Sequence, residues 1–133
     1  MRIFLDANIL FSAAYFPDSK VEEFVLDLID IKKVVVLTSI YAISETKKNL
    51  QVKHPSRLLH LETILRKIET IVVPSNIHCP IDLPEKDQPI FVAALHGHAT
   101  HLITGDRKHF GKWMNKPKLT RGIIIQTISD FLA

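Results

Sequence analysis

The sequence predicts an α/β fold: one domain over residues 1–133, a three-layer sandwich around a five-stranded parallel sheet. Three observations predict it. Short, almost wholly apolar segments alternate with longer segments of helical periodicity along the chain. Strands that apolar are buried on both faces, the condition of a parallel sheet covered by helices. The 133 residues, 47% hydrophobic and 23% charged, amount to one domain with enough apolar side chains for a core.

"RIFLD" reads as the first buried strand. The apolar stretch that resumes after Asp6 with Ile9, Leu10 and Phe11 is assigned no element. "DSKVEEFVLDLIDIKK" reads as a helix. Ser19 and Glu22 form a capping box, Val21, Phe24, Val25, Leu28 and Ile29 make one apolar stripe, and lysines suit its C-terminus. "VVVLTS" is the second strand, and Thr38 or Ser39 can cap the next helix, "IYAISETKKNLQVK". "HPSRLLHLETILRKIE" reads as one further helix capped by Ser56, and "TIVVP" as the third strand. "DQPIFVAALHGHA" is a helix from Asp87, in which Pro89 is tolerated because it lies in the first turn. "HLITGD" is the fourth strand, followed by a short helical piece and a basic loop. "RGIIIQT" is the fifth strand and "ISDFLA" a terminal helix.

Composition excludes several classes. Cys79 is the single cysteine, so no intramolecular disulfide forms. No segment reads as a signal peptide, and no apolar run approaches the roughly 20 residues of a membrane helix. A cytoplasmic protein is expected. Net charge is +3, a mild excess that permits an anionic partner. Its distribution says more: Arg107, Lys108, Lys112, Lys116, Lys118 and Arg121 occupy a segment without a single acid, with Phe110 and Trp113 among them.

In open parallel sheets the functional site lies outside the carboxyl ends of the strands. Asp6 follows the first strand and Asp106 the fourth. Asp87 starts the helix feeding that fourth strand, and Glu45 lies in the helix after the second. All four carboxylates can therefore approach one pocket, where their mutual repulsion asks for a cation. Oxygen ligands suit Mg²⁺ or Mn²⁺, and such an ion supports hydrolysis of a phosphodiester. Asn8 and Thr104 are close enough in sequence to orient the acids. Each acid also has a local alternative. Asp87 and Asp106 could be helix caps, and Glu45 could pair in solvent with Lys47 or Lys48.

"FLDANIL", "ISETKKNL" and "EKDQPIFVAALHGHATHLITGDRKHF" together resemble the PIN domain, a metal-dependent ribonuclease fold whose small prokaryotic members are often VapC-like toxins. The resemblance spans almost the whole chain and keeps the order of its elements. It implies that Asp6, Glu45, Asp87 and Asp106 form an acidic metal site for Mg²⁺ or Mn²⁺. It also implies RNA cleavage, a homodimer and, for a toxin, an antitoxin protein as partner. Two positions depart from many relatives: Lys86 and Lys108 stand where those carry further acids. With fewer carboxylates, one strongly held ion is as good a reading as two.

Other candidates weigh less. His96, His98 and His101 do not share one helix face, His54, His60, His78 and His109 lack ligand spacing, and Cys79 has no basic neighbour but His78. Arg107, Lys112, Trp113, Lys116 and Lys118 are expected to grip phosphates and stack a base, with Lys47, Lys48 and Lys53 extending that surface; the alternative is a solvated loop. The sequence thus predicts a metal-dependent endoribonuclease acting on single-stranded or looped RNA. One rival is a catalytically weak or inactive PIN-like module that only binds RNA or a partner. The other is an aspartyl-phosphate receiver, which a phosphodonor and intact mass would reveal.

Overall fold

The computed structural model describes all residues, 1–133. Strands β1 (Arg2–Leu5), β2 (Val35–Ser39), β3 (Glu69–Ile71), β4 (His101–Ile103) and β5 (Ile124–Gln126) form one sheet in the order β3-β2-β1-β4-β5. Every neighbouring pair is parallel. Helices α1 (Ala7–Tyr15), α2 (Lys20–Asp30), α3 (Ile40–Lys53), α4 (Leu58–Leu65), α5 (Gln88–His96), α6 (Arg107–Phe110) and α7 (Ile128–Leu132) connect and cover the strands. None is long and apolar enough to cross a membrane.

Chain order sets where a site can form. The chain starts at the sheet's centre with β1 and builds outward through β2 and β3. It then crosses back to lay β4 on the other side of β1, with β5 beyond. The winding direction reverses between β1 and β4, and a crevice opens outside the carboxyl ends at such a point. The strands anchor the core: Ile3, Phe4, Leu5, Leu37, Leu102, Ile103 and Ile125 are inaccessible to solvent, as are Leu10, Val25 and Phe91 from the helices over them.

The structure differs from the sequence expectation in several elements. α1 was not expected; it begins at once after β1, with Asp6 as its N-cap. Its stretch is apolar on nearly every position, so the helical period is hard to see beneath it. Ser39 caps α3 by accepting from the Ala42 amide, while Thr38 instead donates to the Leu5 carbonyl and ties β2 to β1. Residues 54–69 are not one helix: a 3₁₀ turn, Pro55–Arg57, precedes α4, and Ser56 bonds the His54 ring rather than capping a helix. The capping box of α2 is half formed. Ser19 accepts from Glu22 N, but the Glu22 carboxylate accepts from Asp18 N and also meets His60 of α4. The strands are shorter than their apolar runs, because pairing in the sheet, not hydrophobicity, ends them.

Gly97 closes α5 where the backbone passes close to β2 and β3. A Cβ there would lie 2.7 Å from Leu37 Cδ1 and 3.0 Å from Ile71 Cγ1. Leu37 is fully buried and has nowhere to retreat. Gly97→Ala is therefore expected to destabilise the protein by about 1–3 kcal/mol, the scale of overpacking, read as a lower midpoint in denaturant with an unchanged slope.

Candidate metal centre

The site is built from the register of two strands. Leu5 pairs with Ile103, so Asp6 and Thr104 leave the sheet side by side, and the Asp6 amide donates to the Ile103 carbonyl at 3.0 Å. Asp6 Oδ1 accepts from the amide of Ala7, the first residue of α1, at 2.7 Å. Oδ2 accepts from the Thr104 hydroxyl at 2.7 Å and from Asn8 Nδ2 at 3.1 Å. Asn8 Oδ1 in turn accepts from Gly105 N, and Thr104 Oγ1 from Asp106 N. Asn8 and Thr104 thus join the ends of β1 and β4 and fix the Asp6 carboxylate in one orientation. Asp6 therefore has local partners, which its sequence context did not suggest. Burial pushes its carboxyl up to about 6; hydrogen bonds from Thr104 and Ala7 hold it down, and the charges of Asp87 and Asp106 raise it.

Glu45 arrives from α3. Tyr41, Glu45, Asn49 and Lys53 recur every fourth residue, so they stack along one face of that helix, and all four line the same cavity as Asp6. Lys47 pairs with Glu62 on α4 at 3.2 Å, not with Glu45. The Tyr41 hydroxyl donates to the Lys86 carbonyl at 2.8 Å and so ties α3 to the loop before α5. Burial raises the Tyr41 phenol, and the charges of Glu45, Asp87 and Asp6 raise it further.

Asp87 stands at the start of α5 but caps nothing: its backbone is helical and its side chain accepts no bond from the helix. The carboxyl is buried and turned to the cavity. Burial raises its pKa, His109 and Lys86 lower it, and Asp106 raises it. Asp106 does cap, accepting from His109 N at 3.0 Å through Oδ1. Its Oδ2 lies 2.8 Å from His109 Nδ1. That ring nitrogen is also 3.1 Å from Asp87 Oδ2, but the alignment serves Asp106 and leaves the buried Asp87 oxygen without a hydrogen bond.

The structure thus brings Asp6, Glu45, Asp87 and Asp106, from four separate elements, to one cavity of about 270 Å³ at the carboxyl edge of the sheet. The donor set fits a hard divalent cation: carboxylate oxygens predominate, one of them buried and unbonded, and two of the carboxyls are disfavoured as anions without a counter-charge. Asp87, Asp106 and His109 each offer an atom within 4.8 Å of the others. His109 was passed over in the sequence for want of ligand spacing; its signal was the three-residue step from Asp106 on one helical turn. Asn49 and Phe11 also line the cavity unannounced, and Asn49 was legible in the fourfold stripe of α3.

The basic segment divides. Arg107 borders the crevice beside Asp106, and Lys112 lies near Lys108 and His109 at a neighbouring hollow. Trp113 is packed against the core, donates from Nε1 to the Asp82 carbonyl at 3.2 Å and carries Lys112 Nζ 5.1 Å above its ring, so one face is covered. Lys116 and Lys118 lie in turns that close on Ile123, just before β5. A parallel strand must be started from the amino edge, so the chain carries these two lysines away from the acids. The lysines that line the acidic cavity are Lys53 and Lys86. The histidines 96, 98 and 101 bracket the start of β4, where His101 packs edge-on against Phe131. Cys79 is buried, and burial raises its thiol pKa.

Among solved structures, the chain is similar to VapBC2 from Rickettsia felis bound to a DNA fragment from its promoter, with a TM-score of 0.68, 17% identity, and 96% of this chain and 98% of that one covered. It is also similar to VapBC-1 from nontypeable Haemophilus influenzae, with a TM-score of 0.63, 15% identity and the same coverage. At such identities the likeness is one of fold. No curated protein matches the sequence. The family model for the PIN domain matches residues 2–108, a span that holds both site-bearing strands and all four acids, and the chain belongs to the PIN-domain family.

Proposed function

We propose that this protein is a metal-dependent endoribonuclease of the VapC-like toxin type, cleaving single-stranded or looped RNA in the cytoplasm. The convergence of Asp6, Glu45, Asp87 and Asp106 on one cavity carries this reading. Asp6, Glu45, Asp87 and Asp106 would hold Mg²⁺ or Mn²⁺, which when bound supplies the Lewis acidity that phosphodiester hydrolysis needs. Asn8 and Thr104 keep the Asp6 carboxylate in place, so little reorganisation is left for the reaction itself. Lys53 and Lys86, at the cavity wall, offset the acids and draw a phosphate toward them.

Partners follow from the surface. An open apolar hollow of about 610 Å³ lies beside the acidic cavity and shares Tyr41 with it. Exposed Ile40, Val72 and Ile77 line it, the kind of patch that a protein partner covers. This patch supports a homodimer or an antitoxin, and the likeness to the two VapBC assemblies supports the antitoxin. Lys86 at the cavity favours the rival, a module that holds RNA without turnover.

Incubation of the protein with mixed RNA decides between them. Cleavage in Mn²⁺ that ceases in chelator supports the nuclease; binding without cleavage in either metal supports the rival. The lysines give a separate expectation. Replacing Lys53 and Lys86 with Ser should weaken RNA binding whatever the sequence. It should also flatten the salt dependence by about 1.4 in slope, roughly 0.7 per phosphate contact on a single strand. Replacing Lys116 and Lys118 should do clearly less; equal losses would place the RNA path along β5, past Arg107, Lys112 and Trp113.

A further inference from the structure

His109 is held to the acids twice by one short helix. Its amide donates to Asp106 Oδ1, and its ring Nδ1 lies 2.8 Å from Asp106 Oδ2 and 3.1 Å from Asp87 Oδ2. Neighbouring ligands on an octahedral ion with bonds of about 2.1 Å are separated by √2 times that length, about 3.0 Å. The ring nitrogen stands at about that spacing from both carboxylate oxygens, and the three donor atoms all lie within 4.8 Å of one another. Asp87 Oδ2 adds a second indication, since it is buried, 3.1 Å from that ring nitrogen and without a hydrogen bond.

We propose that His109 is a direct nitrogen ligand of the ion held by Asp87 and Asp106, and that it tilts the centre from Mg²⁺ toward Mn²⁺ or another transition ion. This rests on the metal-dependent reading above and specifies it. Imidazole binds first-row transition ions well and Mg²⁺ poorly, whereas carboxylates serve both. A site of carboxylates alone would therefore discriminate less between the two ions than one that includes a histidine. A histidine present only as a counter-charge would instead be displaced by either ion and favour neither. To ligate, Nδ1 gives up its proton, so the ring carries its hydrogen on Nε2.

Pulsed electron paramagnetic resonance of the full chain with Mn²⁺ reads the bond directly. The expected result is a ¹⁴N coupling of a coordinated imidazole, present in the wild type and absent in His109→Gln. Calorimetric titration reads the preference. His109→Gln and His109→Ala should weaken Mn²⁺ binding about 10–100-fold, at least the scale of losing a supporting residue at a metal site, and leave Mg²⁺ binding nearly unchanged. Bound Mn²⁺ without a nitrogen coupling overturns the proposal while leaving the nuclease reading intact. So does a coupling that persists in His109→Gln, or an equal loss for both ions. Failure of the wild type to bind Mn²⁺ at millimolar concentration overturns both readings together. Should the variants not fold, the wild-type spectrum alone decides.

Discussion

Asp6→Asn is expected to lower RNA cleavage at least ~100-fold, the scale of removing one preorganised electrostatic group from an active site. The carboxylate is 5% exposed and fully committed, with Oδ1 on the Ala7 amide and Oδ2 on Thr104 and Asn8. An asparagine can still accept from Ala7. Its amide nitrogen, however, must face the Asn8 amide nitrogen and the Thr104 hydroxyl, where the native oxygen accepts from both. The variant therefore loses a charge at the acidic cavity and misorients what remains. On the proposed shared site, Asp6→Asn combined with Asp106→Asn should cost little more than either alone. Single-turnover cleavage in saturating Mn²⁺, with melting curves to confirm folding, is the measurement. Full activity in the folded single variants would falsify the shared site.

Asp87→Asn should reverse the order of stability with and without metal. In chelator, the variant is expected to melt a few degrees above wild type, the scale of one group in a domain of this size. Burial and the neighbouring Asp106 disfavour the Asp87 anion in the folded protein, while the unfolded chain relieves both. In Mn²⁺ at about one hundred times its dissociation constant, wild type gains about 2.7 kcal/mol by mass action and the variant much less. A capping role alone would leave the two alike, since Asn and Asp cap about equally well; the Asp87 side chain caps nothing here. Identical metal responses would show that Asp87 holds no ion. The pH dependence of the metal-free protein has the same origin. Asp6 stays protonated to about pH 6 when folded but ionises near 3.8 when unfolded. Between those values the folded state binds more protons, so stability falls as pH rises, by about 3 kcal/mol in all at 1.36 kcal/mol per unit. Above pH 6 that contribution is fully lost, and Mn²⁺ should restore stability there most strongly.

Local pattern was enough for part of this protein. The apolar runs announced all five strands and their parallel, doubly covered sheet, because burial on both faces leaves no room for polar alternation. The acids at the ends of β1 and β4 were legible for a related reason: a charge directly after a buried strand can stand only at the sheet's edge. α1 was not legible, since its near-uniform apolarity hides the helical period. What only tertiary structure decided is which side chains share one space. Sequence alone left Asp87 with equal claim to a cap, and only the folded chain places its carboxyl in the cavity with Asp6 and Asp106, beside His109. Lys116 and Lys118 read as continuous with Lys112, yet the need to start β5 from the amino edge carries them away from the acids. His109 showed its step from Asp106 in the sequence but not its approach to Asp87, which is distant in the chain. Three-residue steps within a helix are written in the sequence, but a contact between the start of α5 and α6, on the two sides of β4, exists only after the chain has folded.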